Sequence, residues 1–142
     1  MVATKVPWHG VRETPIVLVS GSENYLGERV FSEIRDRLRT ANPELEVTDL
    51  DASHYVSGQL FDYASPSLFA EPRLIRIEHV ESCTDEFIDD ALRFLEMIVD
   101  DVIVMMRHSG GNRGKRLLDA LRKSDRVLEA ECAEIKSEKD RL

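Results

Sequence analysis

Apolar residues along the chain fall alternately into short runs and into fourfold repeats. Ile16–Ser20 is a short apolar run between Pro15 and Gly21 and predicts a buried strand. From Asn24 to Thr40, Leu26, Val30, Ile34 and Leu38 recur at every fourth position, the stripe of one helix that stops near Asn42 and Pro43. Leu45–Leu50 alternates and predicts a second strand. His54–Tyr63 predicts a helix, with Pro66 breaking the chain just beyond it. Arg73–Glu78 predicts a third strand. Asp85–Val99 predicts an amphipathic helix with Ile88, Leu92, Leu95 and Val99 inward and Asp85, Glu86, Asp89, Asp90 and Glu96 outward. A fully buried fourth strand, Val102–Met106, precedes a helix over Gly114–Lys123 with Leu117, Leu118 and Leu121 on one side. Arg126–Glu129 predicts a fifth strand, and a further helix begins at Ile135.

Strands that alternate with helices imply a parallel sheet covered on both faces. Five such strands with right-handed crossovers make an α/β three-layer sandwich. Residues 1–14 mix Lys, Pro, Gly and Trp without period and read as a flexible N-terminal arm; 15–134 form the domain. The closing stretch, 135–142, is the start of a helix rich in charge (Lys136, Glu138, Lys139, Asp140, Arg141), so the expectation is a domain with further domains after it.

A length of 142 residues suits one domain, and the formal net charge of -8 opposes autonomous binding to a phosphate backbone. Cys83 and Cys132 are far apart, with no CxxC or Cys/His cluster, so free thiols are expected and no metal site. No stretch approaches the ~20 apolar residues of a membrane span, and the first 15 residues lack a signal-peptide core; the expected location is cytoplasmic. His9, His54, His79 and His108 stand without a Ser or Cys at informative spacing, and no catalytic residue is assigned.

The turn after the first strand is where a P-loop protein carries GxxxxGKS/T, whose amides cradle phosphate and whose Lys reaches the outer phosphates. Here it reads Gly21-Ser22-Glu23-Asn24-Tyr25-Leu26-Gly27-Glu28-Arg29. The glycines are one residue too far apart, and Glu28 stands in the place of Lys. The third strand ends in Glu78 and then His79, so the paired acids that hold magnesium are broken. The nucleotide site is degenerate, and no cofactor is expected.

A second loop, Ser109-Gly110-Gly111-Asn112-Arg113-Gly114-Lys115-Arg116, follows the fourth strand and misses the same motif at both ends. From Arg107 to Lys123 there are six basic residues and one acid, Asp119, a local charge of +5. Arg113, Lys115 and Arg116 are therefore candidates for contact with an anion or an acidic partner, against the alternative of a solvated basic face.

Residues 64–74 read Ala-Ser-Pro-Ser-Leu-Phe-Ala-Glu-Pro-Arg-Leu. Leu68 and Phe69 are adjacent between two prolines. Neighbouring side chains point in different directions, so the pair either caps the sheet edge or inserts into a partner's groove, where two such side chains contribute ~3–6 kcal/mol before ordering costs.

The chain resembles the N-terminal domain of the delta subunit of the bacterial DNA polymerase III clamp loader. The resemblance is carried by Val17-Leu18-Val19-Ser20-Gly21-Ser22-Glu23 with Leu26, by Ser67-Leu68-Phe69-Ala70 with Arg73-Leu74, by Gly114-Lys115-Arg116-Leu117-Leu118, and by Cys132 through Arg141. It implies an AAA+-like (P-loop NTPase) fold without a working nucleotide site, a five-stranded sheet ordered 5-1-4-3-2, and lid and collar domains beyond this chain. It implies that Ser67, Leu68 and Phe69 bind the sliding clamp (the beta subunit) and help to open its ring for loading onto primed DNA. Other loader subunits are implied partners, with DNA met only within the assembled loader, and no activity of the domain's own inside the DNA polymerase III holoenzyme. Clamp-binding peptides often carry a Gln a few residues before the Leu-Phe pair; Ala64, Ser65 and Pro66 stand there instead. Two alternatives are a divergent NTPase using the Gly110–Lys115 loop and a nonenzymatic AAA+-like module of another replication or repair assembly.

Overall fold

The computed structural model describes residues 4–7 (backbone), 15–65, 72–98 and 101–132. Six strands form one sheet: β1 (Thr4–Pro7), β2 (Ile16–Ser20), β3 (Glu46–Asp51), β4 (Arg73–Glu78), β5 (Val102–His108) and β6 (Val127–Glu131). All pair in parallel, in the order β1-β6-β2-β5-β4-β3. The helices are α1 (Asn24–Ala41), α2 (Gln59–Ala64), α3 (Asp85–Glu96) and α4 (Lys115–Arg122), with 3-10 turns at Ala52–His54 and Val80–Ser82.

Period-two alternation along each strand divides the core between two faces. Val17, Val19, Leu74, Met105, Leu128 and Ala130 pack under Val30, Phe31 and Ile34 of α1. Ile16, Leu18, Ile75, Ile77, Val104 and Met106 pack against α2, α3 and α4 on the other face. The predicted three-layer sandwich is the observed one, and its five expected strands stand in the order 5-1-4-3-2. Local chemistry sets the helix starts: the Glu23 carboxylate accepts from Tyr25 N at the start of α1, and Thr84 Oγ1 accepts from Phe87 N at the start of α3. At the α4 end of the sheet the buried Glu129 carboxylate accepts from both Nε and Nη2 of Arg122, at 2.9 and 3.0 Å, and from Ser20 Oγ at 2.6 Å.

Four expectations need correction. Thr4–Pro7, read as part of a flexible arm, is a sixth strand whose register on β6 runs from Thr4↔Leu128 to Pro7↔Glu131. Its mixed composition suits an edge, where one side of the strand is unpaired. The single helix expected over His54–Tyr63 is split, because Gly58 adopts a left-handed φ of 89° and α2 starts only after it. The helix expected over Asp85–Val99 ends at Glu96, and its deepest residues are Phe87, Ile88, Asp90, Ala91 and Phe94. Asp90, placed outward by its charge, is 1% exposed. Its burial is compensated by hydrogen bonds from Tyr55 Oη (2.5 Å) and Gly58 N (2.7 Å) and by the Arg93 guanidinium. Among the described residues no helix is long and apolar enough to cross a membrane.

Candidate functional site

The connections run in opposite directions from the neighbouring strands β2 and β5: the chain leaves β2 through α1 toward β3 on one side and leaves β5 through α4 to β6 on the other. In open α/β sheets ligands bind in the crevice at such a switch point, beyond the carboxyl ends of the strands. In this chain that place is filled from within.

Several of the amides that a phosphate-binding loop would present are already donating elsewhere. Gly21 N–H donates to His108 O (3.1 Å) and Glu23 N–H to Cys132 O (2.9 Å), while Cys132 N–H returns a bond to Ser20 O (2.6 Å). Tyr25 N–H is taken by the Glu23 side chain at 3.0 Å. The turn is thereby stitched to β5 and to the end of β6. Gly21 supplies the positive φ, 114°, that the bend requires.

Two arginines occupy the space beside α1. Arg107, at the end of β5, points to the α1 face, donates through Nη2 to Asn24 Oδ1 and lies against Gly27. Arg76 of β4 places its guanidinium 4.3 Å from the centre of the Phe31 ring and is bonded to Glu28 and to Glu78, the latter at 2.8 Å from Nε. Burial alone would lower the Arg76 pKa, but the Glu78 hydrogen bond and the charges of Glu78, Glu28 and Asp49 raise it, so this guanidinium is firmly charged. Glu28 and Glu78, the residues at the Lys and metal-binding positions of the motif, are thus both engaged by one arginine. The cavity left among Val19, Gly27, Phe31, Arg76, Glu78 and Arg107 measures about 10 Å³, room for about one water.

His79 follows β4 with a left-handed φ of 63°. Its Nδ1 lies 3.1 Å from Asp51 Oδ1, and His54 Nδ1 lies 3.2 Å from Asp51 Oδ2. These two histidines are on the surface and share one carboxylate. The Ser53 Oγ hydrogen bond, outweighing burial with help from both histidines and the Ser53 amide, holds the Asp51 carboxyl well below the usual range. Ser53 Oγ donates to Asp51 at 2.6 Å and also lies 3.1 Å from His54 Nδ1, the same nitrogen that faces Asp51, so serine and carboxylate meet one ring nitrogen and are not bridged across the imidazole from Nε2 to Nδ1 as in a catalytic triad. His108 is buried, accepting from Gly110 N–H at Nδ1 (3.1 Å) and bonded through Nε2 to Arg113 O (2.8 Å).

The basic loop is less basic in space than in sequence. Arg113 donates to Cys83 O and to Asp85 Oδ1, each at 2.8 Å; Arg116 donates to Asp89 at 2.9 Å; Lys115 lies 3.8 Å from Asp119. All three candidate anion contacts face a carboxylate, two of them from α3. Both cysteines are buried and free, and burial pushes Cys83 up and Cys132 up to about 11. Among the described residues, no group of three His, Cys, Asp or Glu side chains is arranged to hold a metal ion.

Ser67, Leu68 and Phe69 lie outside the described residues, as does the helix expected from Ile135. The elements that flank the Leu-Phe pair are described. Before it, α2 is held by Tyr55 Oη, which accepts from Leu60 N at 2.9 Å. After it, Arg73 of β4 reaches back to α2, donating to Tyr63 O at 2.8 Å and to Ser65 O. Sequence reading assigned no role to Arg73, Arg76, Asp90 or Arg107. Only Arg76 carried a signal, being a charge inside an otherwise apolar strand.

No protein-family model matches the chain, and no curated protein matches it by sequence. Its fold is similar to that of the Bacillus subtilis DNA clamp loader delta protein, with a TM-score of 0.64 over 86% of this chain at 15% identity. It is also similar to a DNA polymerase III gamma subunit-related protein from Thermotoga maritima, with a TM-score of 0.55 over 91% of this chain at 14% identity. The matched regions cover 39% and 44% of those two chains, so this chain spans less than half the length of each. At such identities the likeness is one of fold.

Proposed function

We propose that this domain works in a clamp loader as the delta-type subunit, binding the sliding clamp through Leu68 and Phe69 and catalysing nothing itself. The observation that carries the reading is the self-filled crevice: the loop amides donate to His108 O and Cys132 O, and Arg76 and Arg107 stand where phosphate and metal would bind. A nucleotide-binding fold with its site so filled is left with binding as its work. The order of the sheet and the likeness to clamp-loader proteins support the assembly, and the motif Ser67-Leu68-Phe69 supports the partner.

In this reading the domain acts by differential affinity. It binds the clamp better when the ring interface is open and shifts the population by that difference. ATP hydrolysis belongs to partner subunits, and DNA is met only in the assembled loader. The divergent-NTPase alternative is disfavoured, since Arg113, Lys115 and Arg116 each face an aspartate. Surface plasmon resonance with immobilised cognate clamp tests the reading: saturable binding supports it, and no binding at high micromolar concentration contradicts it.

A further inference from the structure

The sheet ends on one side at β3, which pairs with β4 alone. In a parallel pair, alternate residues turn their backbone polar groups to the neighbouring strand. Glu46 N–H donates to Pro72 O at 3.4 Å, so Glu46, Thr48 and Leu50 face β4, while Val47 and Asp49 turn N–H and C=O to the open edge. Among the described residues nothing bonds to those groups. An unpaired edge is a template for a further strand, and charge on it governs which strand can add. The charges of β3 are of one sign: Glu46, Asp49 and Asp51. On the α1 side of the sheet a groove of about 400 Å³ opens among Asp49, Leu50, Asp51, Arg76, Glu78 and His79. Arg76 does not neutralise it, being shared between Glu78 and Glu28. Asp49 is exposed and acts on Arg76 by charge alone; among the described residues no hydrogen bond or ion pair holds its carboxylate.

We propose that the open edge of β3 docks an extended segment of a partner protein that carries Lys or Arg at alternate positions. The free backbone groups of Val47 and Asp49 pair with the added strand and hold it. Val47, Asp49 and Asp51 lie on one face of β3, so every second residue of that strand stands beside them, and a basic side chain there meets the carboxylates of Asp49 and Asp51. A second copy of β3 is the wrong occupant, because it would bring Glu46, Asp49 and Asp51 against their own kind. The charges that exclude a copy of this strand are the ones that select a basic partner. Nothing in this surface involves Leu68 or Phe69, so it goes beyond the clamp reading and does not depend on it.

The test is an amide NMR titration of this chain with three short synthetic peptides: alternating Lys-Thr, the same peptide with every backbone nitrogen methylated, and alternating Glu-Thr. The Lys-Thr peptide should shift the amides of Val47 and Asp49 saturably by millimolar concentration, and the other two should not. Reversing the charge with Asp49→Lys should weaken the Lys-Thr peptide at least about tenfold. Asp49→Asn, which keeps the size of the side chain and drops its charge, should give a smaller loss in the same direction and decides the matter if Asp49→Lys does not fold. Equal shifts with the methylated peptide would show charge attraction without strand pairing and overturn the proposal. Absence of shifts at β3 with the Lys-Thr peptide overturns it, as does unchanged affinity in the folded Asp49 variants. Concentration-dependent shifts of the same amides in the chain alone would assign the edge to a second copy and overturn it too.

Discussion

The guanidinium of Arg107 rests on Gly27, so closely that a Cβ at residue 27 would lie 2.8 Å from Arg107 Cζ and 3.0 Å from its Nε. The small residue that a phosphate-binding loop keeps for its ligand is here kept for an arginine of the same chain.

That contact predicts a specific coupling. Gly27→Ala gains about 1 kcal/mol of helix propensity inside α1 but displaces Arg107 from Asn24, which costs about as much. The single substitution should be close to neutral. In an Arg107→Ala background the displacement cost vanishes, and the same change should stabilise by about 1 kcal/mol. Urea unfolding of the four forms measures it; an equal effect of Gly27→Ala in both backgrounds would mean that the two residues do not interact.

Mg-ATP should not bind. Glu28 and Glu78 both contact Arg76, and the Gly21, Glu23 and Tyr25 amides already have acceptors, so phosphate would have to displace an ion pair and backbone bonds at once. Titration calorimetry checks this, and saturable binding in the micromolar range would contradict it.

How much of this was legible in the sequence differs from place to place. Strands β2 to β6 were readable because buried parallel strands are short apolar runs. Asp90 was misplaced because periodicity sorts residues by polarity and cannot see that Tyr55, 35 positions away, brings a hydroxyl to its carboxylate. Strand β1 was missed because an edge strand needs no apolar run. The +5 segment looked free because its partners, Asp85 and Asp89, lie on a different helix.

Asp90 should govern part of the acid sensitivity of the fold. Burial pushes its carboxyl up, but hydrogen bonds from Tyr55, Gly58 and Arg93 outweigh it and hold the pKa below the ordinary 3.8. A carboxyl depressed in the folded state contributes stability that is complete above its unfolded value and is lost as pH falls through the folded one. Asp90→Asn should cost about 2–3 kcal/mol at neutral pH and flatten the decline of stability below about pH 4. Asp51, depressed likewise, should leave a residual slope. Denaturant titrations across pH test this, and an unchanged slope in Asp90→Asn would contradict it.

The 107–123 segment should bind DNA only weakly. Arg113 and Arg116 are paired with aspartates, and the chain as a whole carries a net charge of -8. Fluorescence anisotropy with single- and double-stranded DNA should show weak binding that disappears at physiological salt; tight binding persisting there would show that the local patch dominates.

The central claim is that Leu68 and Phe69 serve a partner and not the core. Side chains buried in a core cost ~2–5 kcal/mol each when truncated to alanine. Anchors on a surface leave folding nearly intact and remove binding. The most direct measurement is therefore the double variant Leu68→Ala with Phe69→Ala, followed by thermal melting and by affinity for the cognate sliding clamp. The expected result is a small change in melting temperature together with at least a tenfold loss of affinity, about 1.4 kcal/mol. Unchanged clamp affinity in a stably folded variant would contradict the account.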